Sequence, residues 1–324
     1  MSKLYPPSRC TGALPVDLEK PHLIAETKMD GSRFVLYMGG CDPYGRREGN
    51  ALLSRRISVK DGKHVDRTDN VPHFTHLEYE GLEGTVLDGE VMSTDFLKTN
   101  SIMNSGPALA VAKQMEKGKL NYHVFDCMAF RGEDIRGLPL EKRRLVLEEV
   151  IRRMDNENVR LIPQFTSNLA DHFTRIVEDG GEGIIVKDLR AGYGSSWAKM
   201  KKSYDVSAIV SGFKPGNGKY EGMIGALALS VHHEGKLIEI GFASGFDDAL
   251  RKKMSDNFEE YKGKVVDVFA QEIQKKGASG VGRLRHPTFY RFRDDLEPDT
   301  ITSEKLEEDL STRVRSNRQK WSKR

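Results

Sequence analysis

The stretch AETKMDGSR, residues 25–33, sets Lys28 between two carboxylates, Glu26 and Asp30, with Gly31 and Arg33 close behind. A lysine amine attacks only when deprotonated, which desolvation or nearby positive charge favours. Among arginines and lysines its natural electrophile is phosphorus, and Arg33 brings a planar fork matched to phosphate oxygens. A triphosphate would also want a divalent cation, and such cations want carboxylates. Two candidates follow: Glu90, closing LDGE, and Glu182, opening EGIIVK, whose last residue is Lys187. Lys199 and Lys201 of WAKMKK stand two apart, hence on one side of an extended segment. Each piece alone has an ordinary reading: Asp30-Gly31 as a hairpin turn, Glu182 as a helix-end charge, the lysines as a solvated edge strand. Their joint order points to chemistry on a nucleotide.

Strand patterns rich in β-branched and aromatic residues run through RFVLYM, TVLDGEVM (85–92) and YHVFDCMAF (122–130). A helix is bounded by Pro107 and Gly118, and a second, over 138–154, sets Leu140, Leu147, Val150, Ile151 and Met154 close to one face. Ser167 is placed to cap a helix that stops at Gly180-Gly181, after which GIIVK reads as a short buried strand. Beyond about residue 203 the pattern changes. DVSAIVSGF, IGALALSVHH and KLIEIGFAS are three strands; DDALRKKMSDNFEEYKG is a helix; KVVDVFAQEI and PTFYRF are two more strands. That is the order of a small five-stranded OB-fold.

A length of 324 residues favours about two domains. Charged residues make up 31% and hydrophobic ones 38%, an ordinary balance for a well-charged globular surface. With 51 basic and 48 acidic residues the net charge is +3, so the distribution of charge, not its sum, decides whether a polyanion is a partner. Residues 313–324 carry six arginines and lysines behind the acidic run SEKLEEDL, which reads as a frayed end or a nucleic-acid contact. Three scattered cysteines, Cys10, Cys41 and Cys127, argue for reduced thiols. The first ten residues lack a signal peptide's apolar core, and no run reaches the length of a membrane span. The expectation is a cytoplasmic protein with no membrane partner.

The ordered set KMDGSR, LLSRR, LDGE, YHVFDCM, EGIIVK and WAKMKK resembles the covalent nucleotidyltransferases, and within them the ATP-dependent DNA ligases, from about residue 22 to 295. It looks most like the compact ligases of bacteriophages and some bacteria. The resemblance implies an α+β nucleotidyltransferase (ATP-grasp-like ligase) domain over 1–203, a β-barrel OB-fold domain over 204–300 and a charged tail over 301–324. Only 27 residues precede Lys28, which implies no separate helical DNA-binding domain. By the same resemblance Lys28 attacks the α-phosphate of ATP and Glu26 reads the adenine amino group. Arg33 and Arg55 hold AMP and the nick 5′-phosphate, and Phe125 stacks on adenine. Glu90 serves the ribose and metal side, and Glu182 binds Mg²⁺. Lys187, Lys199 and Lys201 meet the α-phosphate and pyrophosphate.

KPGNGKYEGMIGAL is similar to a duplex-facing stretch of these enzymes. RHPTFYRFRDD resembles their last motif, often Arg-x-Asp-Lys; Arg293 and Asp295 fit, and Leu296 stands where the lysine would be. The implied activity is that of a monomeric, Mg²⁺-dependent enzyme sealing nicked double-stranded DNA in replication, repair or recombination. A capping guanylyltransferase, an RNA ligase, an NAD⁺-dependent ligase and a non-catalytic OB binding module are the competing readings.

Overall fold

The computed structural model describes residues 3–10, 17–93, 96–270, 272–274, 279–312 and 314–316. The chain divides into two compact units, Met1–Met200 and Lys201–Arg324.

The first unit holds strands β1 (Leu23–Thr27), β2 (Ser32–Tyr37), β3 (Ala51–Ile57), β4 (His64–Asp66), β5 (Val86–Met92), β6 (Asn121–Phe130), β7 (Glu133–Asp134), β8 (Val159–Leu161), β9 (Gln164–Phe165) and β10 (Gly183–Asp188). Its helices are α1 (Pro72–Thr75), α2 (Phe96–Met103), α3 (Pro107–Lys117), α4 (Leu140–Met154) and α5 (Leu169–Glu178). The strands form two sheets. One runs β4-β3-β2-β5-β6-β7, with β8 added parallel to β6; the other contains β9-β1-β10.

β1 and β2 therefore do not form a hairpin. MDG carries the chain from one sheet to the other, and Gly31 is absent from the positive-φ glycines, so a turn is not why it is glycine. The reason is close approach: a Cβ there would lie 2.6 Å from the Val91 carbonyl oxygen. Gly89 of LDGE is glycine on the same ground. A Cβ there would meet the Tyr122 ring at 2.6 Å, and that ring's hydroxyl donates to the Phe34 and Leu87 carbonyls.

Strand alternation sorts the larger sheet's two faces. Phe34, Leu36, Leu87, Val91, Tyr122 and Val124 join Phe74, Ala110, Leu147 and Val150 in one core. Burying such a face supplies roughly 25 cal/mol per Å² of apolar area. The intervening positions, Arg33, Glu90 and His123, are left to the other face. The register slips between Asp88 and Gly89, so Phe125 is the extra residue of a β-bulge on β6; bulges commonly re-aim a side chain beside a site.

On α4, Leu140, Leu147, Val150 and Met154 are buried, and so, fully, is Arg143. Its Nε and Nη2 donate to Asp126 at 2.8 and 2.9 Å. Ser167 is not the cap of α5. The N-cap position is Asn168, held left-handed at φ 51° without a side-chain cap bond, a conformation Asn tolerates better than Ser.

The second unit is an OB-like barrel. β11 (Ala198–Pro215) runs across the unit boundary and pairs with β12 (Ile224–His233) and with β14 (Val265–Ala270). β12 pairs with β13 (Lys236–Ala243), and after α6 (Asp248–Asp256) β14 pairs with β17 (Thr288–Phe292). A parallel bridge from Ser244 to Thr288 closes the barrel. A two-stranded ribbon, β15 (Glu272–Gln274) with β16 (Arg283–Arg285), interrupts the last connection.

The helix read over 247–263 stops at Asp256, because Phe258 and Tyr261 turn against the barrel core. Residues 301–312, expected within a charged tail, are folded: Ile301 and the Leu306 of α7 (Ser303–Thr312) are buried in that core. β18 (Val314–Ser316) pairs with β11. The rest of the basic stretch 313–324 lies outside the described residues.

Candidate active site

Lys28 follows β1 directly, and its backbone N–H donates to the Gly183 carbonyl at 2.8 Å. This continues the antiparallel β1–β10 register, in which Thr27 faces Ile184. The register brings Glu182, just ahead of β10, alongside, and the Lys28 ammonium is ion-paired with its carboxylate.

Behind this pair lies a second, buried one. Leu23, Ala25, Ile184 and Val186 join the core under α5, so alternation leaves Glu26 and Lys187 on the opposite face. Lys187 Nζ stands 2.5 Å from Glu26 Oε2, with the two side chains 2% and 3% exposed. Gln164 Nε2 donates to the other Glu26 oxygen at 2.9 Å. The Lys187 ammonium lies 5.0 Å from the Phe125 ring centroid and 4.6 Å from that of Trp197. An ammonium so enclosed gains from both ring faces.

Arg33 has its fork on Asp88, donating from Nε at 3.0 Å and from Nη2 at 2.6 Å. Nη1 donates to the Ser8 carbonyl, and Nη2 also to the Tyr193 hydroxyl. The guanidinium sits 5.2 Å from the Phe125 ring. Phe125 is thus flanked by two cations and by the edge-on Trp197 ring at 5.7 Å. Asp88, Tyr193, Trp197 and Gln164 were not singled out as site residues from the sequence. Asp88 and Trp197 stand inside LDGE and WAKMKK, so their motifs held the signal; for Tyr193 and Gln164 there was none.

Glu90 is half-buried beside this group. Desolvation pushes its carboxyl up to about 7, against the pull of Lys28 and Arg33. Exposed Arg55 on β3 also acts on it electrostatically. Lys199 and Lys201 alternate with buried Ala198 and Met200 along β11. A cavity of about 620 Å³ lined by Pro6, Pro7, Ser8, Asp134, Arg136, Gly137 and Tyr193 touches this group only through Ser8 and Tyr193.

Arg293, on the second unit, is held between two carboxylates. Nε and Nη2 donate to Asp295, each at 2.7 Å, and Nη1 to Asp267 at 3.1 Å. Leu296 packs against the barrel core, which gives its departure from lysine a structural reason.

No cluster of three or more metal-ligating side chains occurs among the described residues. Mg²⁺ does not require one, since it commonly takes one or two carboxylates and completes its shell with water and substrate phosphates. Glu90 and Glu182, which both act on Lys28, fit that donor set.

A lysine at the meeting of two sheets, ion-paired with Glu182 and within electrostatic reach of Glu90, belongs to the nucleotidyltransferase fold, here followed by an OB-like domain. Residues 13–202 match the family described as ATP dependent DNA ligase domain, and residues 215–293 match the DNA ligase OB-like domain. The chain belongs to the ATP-dependent DNA ligase family. It is 36% identical over 212 residues to a DNA ligase of Methanopyrus kandleri, covering 57% of this chain and 38% of that one. To a DNA ligase of Methanocorpusculum labreanum it is 30% identical over 320 residues, 86% of this chain and 53% of the other. The chain thus spans about half the length, or less, of these curated relatives. In fold it is similar to a structure from a study of Lig E DNA ligases, with a TM-score of 0.62 at 21% identity, covering 90% of this chain and 100% of that one.

No helix among the described residues is long and apolar enough to cross a membrane.

Proposed function

We propose that this chain is an ATP-dependent DNA ligase that seals nicks in duplex DNA. The observation that carries the reading is Lys28, ion-paired with Glu182 at the meeting of two sheets and backed by the buried Glu26–Lys187 pair. Three transfers follow. Lys28 Nζ, as the free amine, bonds to the α-phosphorus of ATP and gives up a proton to solvent as the bond to the β-phosphate oxygen breaks and pyrophosphate leaves. The nick 5′-phosphate then takes the AMP, returning the lysine as an amine. Last, the 3′-hydroxyl attacks that 5′-phosphorus; AMP leaves and the phosphodiester is made.

Mg²⁺, when bound, would neutralise the triphosphate's charge, with Glu90 and Glu182 as the residues to hold it. Glu26 and Phe125 serve the adenine, and Arg33 and Arg55 the AMP and the 5′-phosphate. Lys187, Lys199 and Lys201 serve the α-phosphate and pyrophosphate, with Arg293 on the latter. Positioning and charge neutralisation carry most of the rate in such transfers. A monomer acting in the cytoplasm, in replication, repair or recombination, completes the proposal.

Intact-mass measurement tests it. Incubation with ATP and Mg²⁺ should give a species heavier by one AMP, absent in Lys28→Ala and discharged by a nicked duplex. Labelling by GTP instead of ATP would move the reading to a guanylyltransferase, and no adduct at all would end it.

A further inference from the structure

Four residues on consecutive strands of the larger sheet stand in one transverse row. Arg33 on β2 faces Glu90 on β5, Glu90 faces His123 on β6, and His123 faces Arg160 on β8. Their neighbours Val91, Tyr122 and Val159, themselves in register, all enter the helix-covered core. The row therefore lies on the opposite face. At the β3 end, Ser54 is registered with Phe34, and Arg55 is the next residue outward.

The row thus runs from one exposed arginine to another, with Glu90 at its middle. Arg33 is committed to Asp88, whereas Arg160 makes one described side-chain bond, Nε to the Glu157 carbonyl at 3.1 Å. Most of its fork is open.

We propose that Arg160 holds a backbone phosphate of the nucleic acid substrate, at the end of the site opposite Arg55. The proposal rests on the ligase reading above. Four strand intervals separate the two arginines, about 19 Å at the usual spacing. At 3.4 Å per base pair that is roughly five to six base pairs of duplex, so the two ends meet different phosphates. His123 between them adds no repulsion, because desolvation and the Arg160 charge keep its imidazole neutral, down to about 4.

The test is the salt dependence of binding of wild-type, Arg160→Ala and Arg160→Lys protein to a fluorescent nicked duplex, in EDTA to block sealing. Each lost phosphate contact lowers the slope of log K against log salt by about 0.9. Arg160→Ala should therefore lose about 0.9 of slope and bind about tenfold more weakly at 50 mM salt, converging on wild type at high salt. Arg160→Lys should keep most of the slope, and Arg55→Ala/Arg160→Ala should lose about twice as much as either alone. Thermal melts check that the variants fold. An unchanged slope in folded Arg160→Ala, with wild type binding the nick, overturns this assignment alone. A wild type that neither binds nicked duplex nor takes AMP at Lys28 overturns the ligase reading itself.

Discussion

Arg33 and Glu90 are direct partners across β2 and β5, yet the Arg33 fork is spent on Asp88, two residues before Glu90 on the same strand. Glu90 is left with the longer-range pull of Lys28 and Arg33, which does not overcome its desolvation. The half-buried carboxyl is thereby pushed up to about 7.

Ionising Glu90 in the metal-free protein should therefore cost stability. Its value rises from 4.5 to about 7. Below 4.5 both folded and unfolded chains hold the proton; between the two values only the folded chain does. The stability Glu90 contributes is complete below 4.5 and is lost as pH rises through 7. Glu90→Gln should melt several degrees above wild type at pH 8 in EDTA, and level with it at pH 4. It should also slow AMP transfer to Lys28 at saturating ATP. A melting difference that does not change with pH would show that Glu90 is not held in this way.

The Glu26–Lys187 pair is almost fully buried, and removing one partner of such a pair commonly costs about 3–5 kcal/mol. Glu26→Gln and Lys187→Met should each lower the melting temperature substantially. The double variant Glu26→Gln/Lys187→Met should recover much of that loss, because no buried charge is left alone, while AMP transfer stays lost. Recovery of transfer along with stability would reduce the pair to a structural role. Failure of stability to recover would mean that the pair's geometry, and not its uncompensated charge, holds β1 to β10.

The spacing of apolar residues was enough to find β2, β5, β6 and β10 of the first unit and β11–β14 and β17 of the barrel, because each has a face that must be buried. The six other strands described in the first unit were not read. It also placed Lys28, Glu90, Glu182 and Lys187 on or beside strands. It did not show that β1 and β2 lie in different sheets, since sheet partnership is set by long-range register; a D-G pair looks the same in a hairpin and in a crossing. Nor did it show that Arg33 belongs to Asp88 and Tyr193. Residues 160 apart in sequence leave no local signature, and in a linear reading a buried arginine looks like an available one. Arg143 escaped for the same reason: its partner Asp126 lies on another element.

The Tyr193 hydroxyl donates to Asp88 at 2.5 Å and accepts from Arg33 Nη2 and from the Ser8 backbone N–H. Tyr193→Phe leaves those groups short of a partner, at a cost of about 1–3 kcal/mol. It should lower the melting temperature and slow AMP transfer several-fold without abolishing the adduct. Arg33→Lys should be worse, because an ammonium cannot bridge both Asp88 oxygens. Wild-type transfer rates in Tyr193→Phe would show that the fork needs no support from that side.

The proposed role of Arg293 on pyrophosphate would separate the first chemical step from the later ones. Asp295, one of its two carboxylate partners, is exposed, so that pairing is screened by water and open to exchange. Departing pyrophosphate offers more negative charge to the same fork than Asp295 does. Pyrophosphate leaves only in the step at Lys28, and DNA that already carries a 5′-adenylate never releases it. Arg293→Ala should therefore cripple AMP transfer from ATP yet seal pre-adenylated nicks within a few-fold of wild type. Folding should survive, since Asp267 keeps Ser207 and Arg291 as partners at 2.8 and 2.9 Å. Equal losses in both assays, with an unchanged melting temperature, would place Arg293 on the DNA and leave pyrophosphate to the lysines of the first unit and of β11.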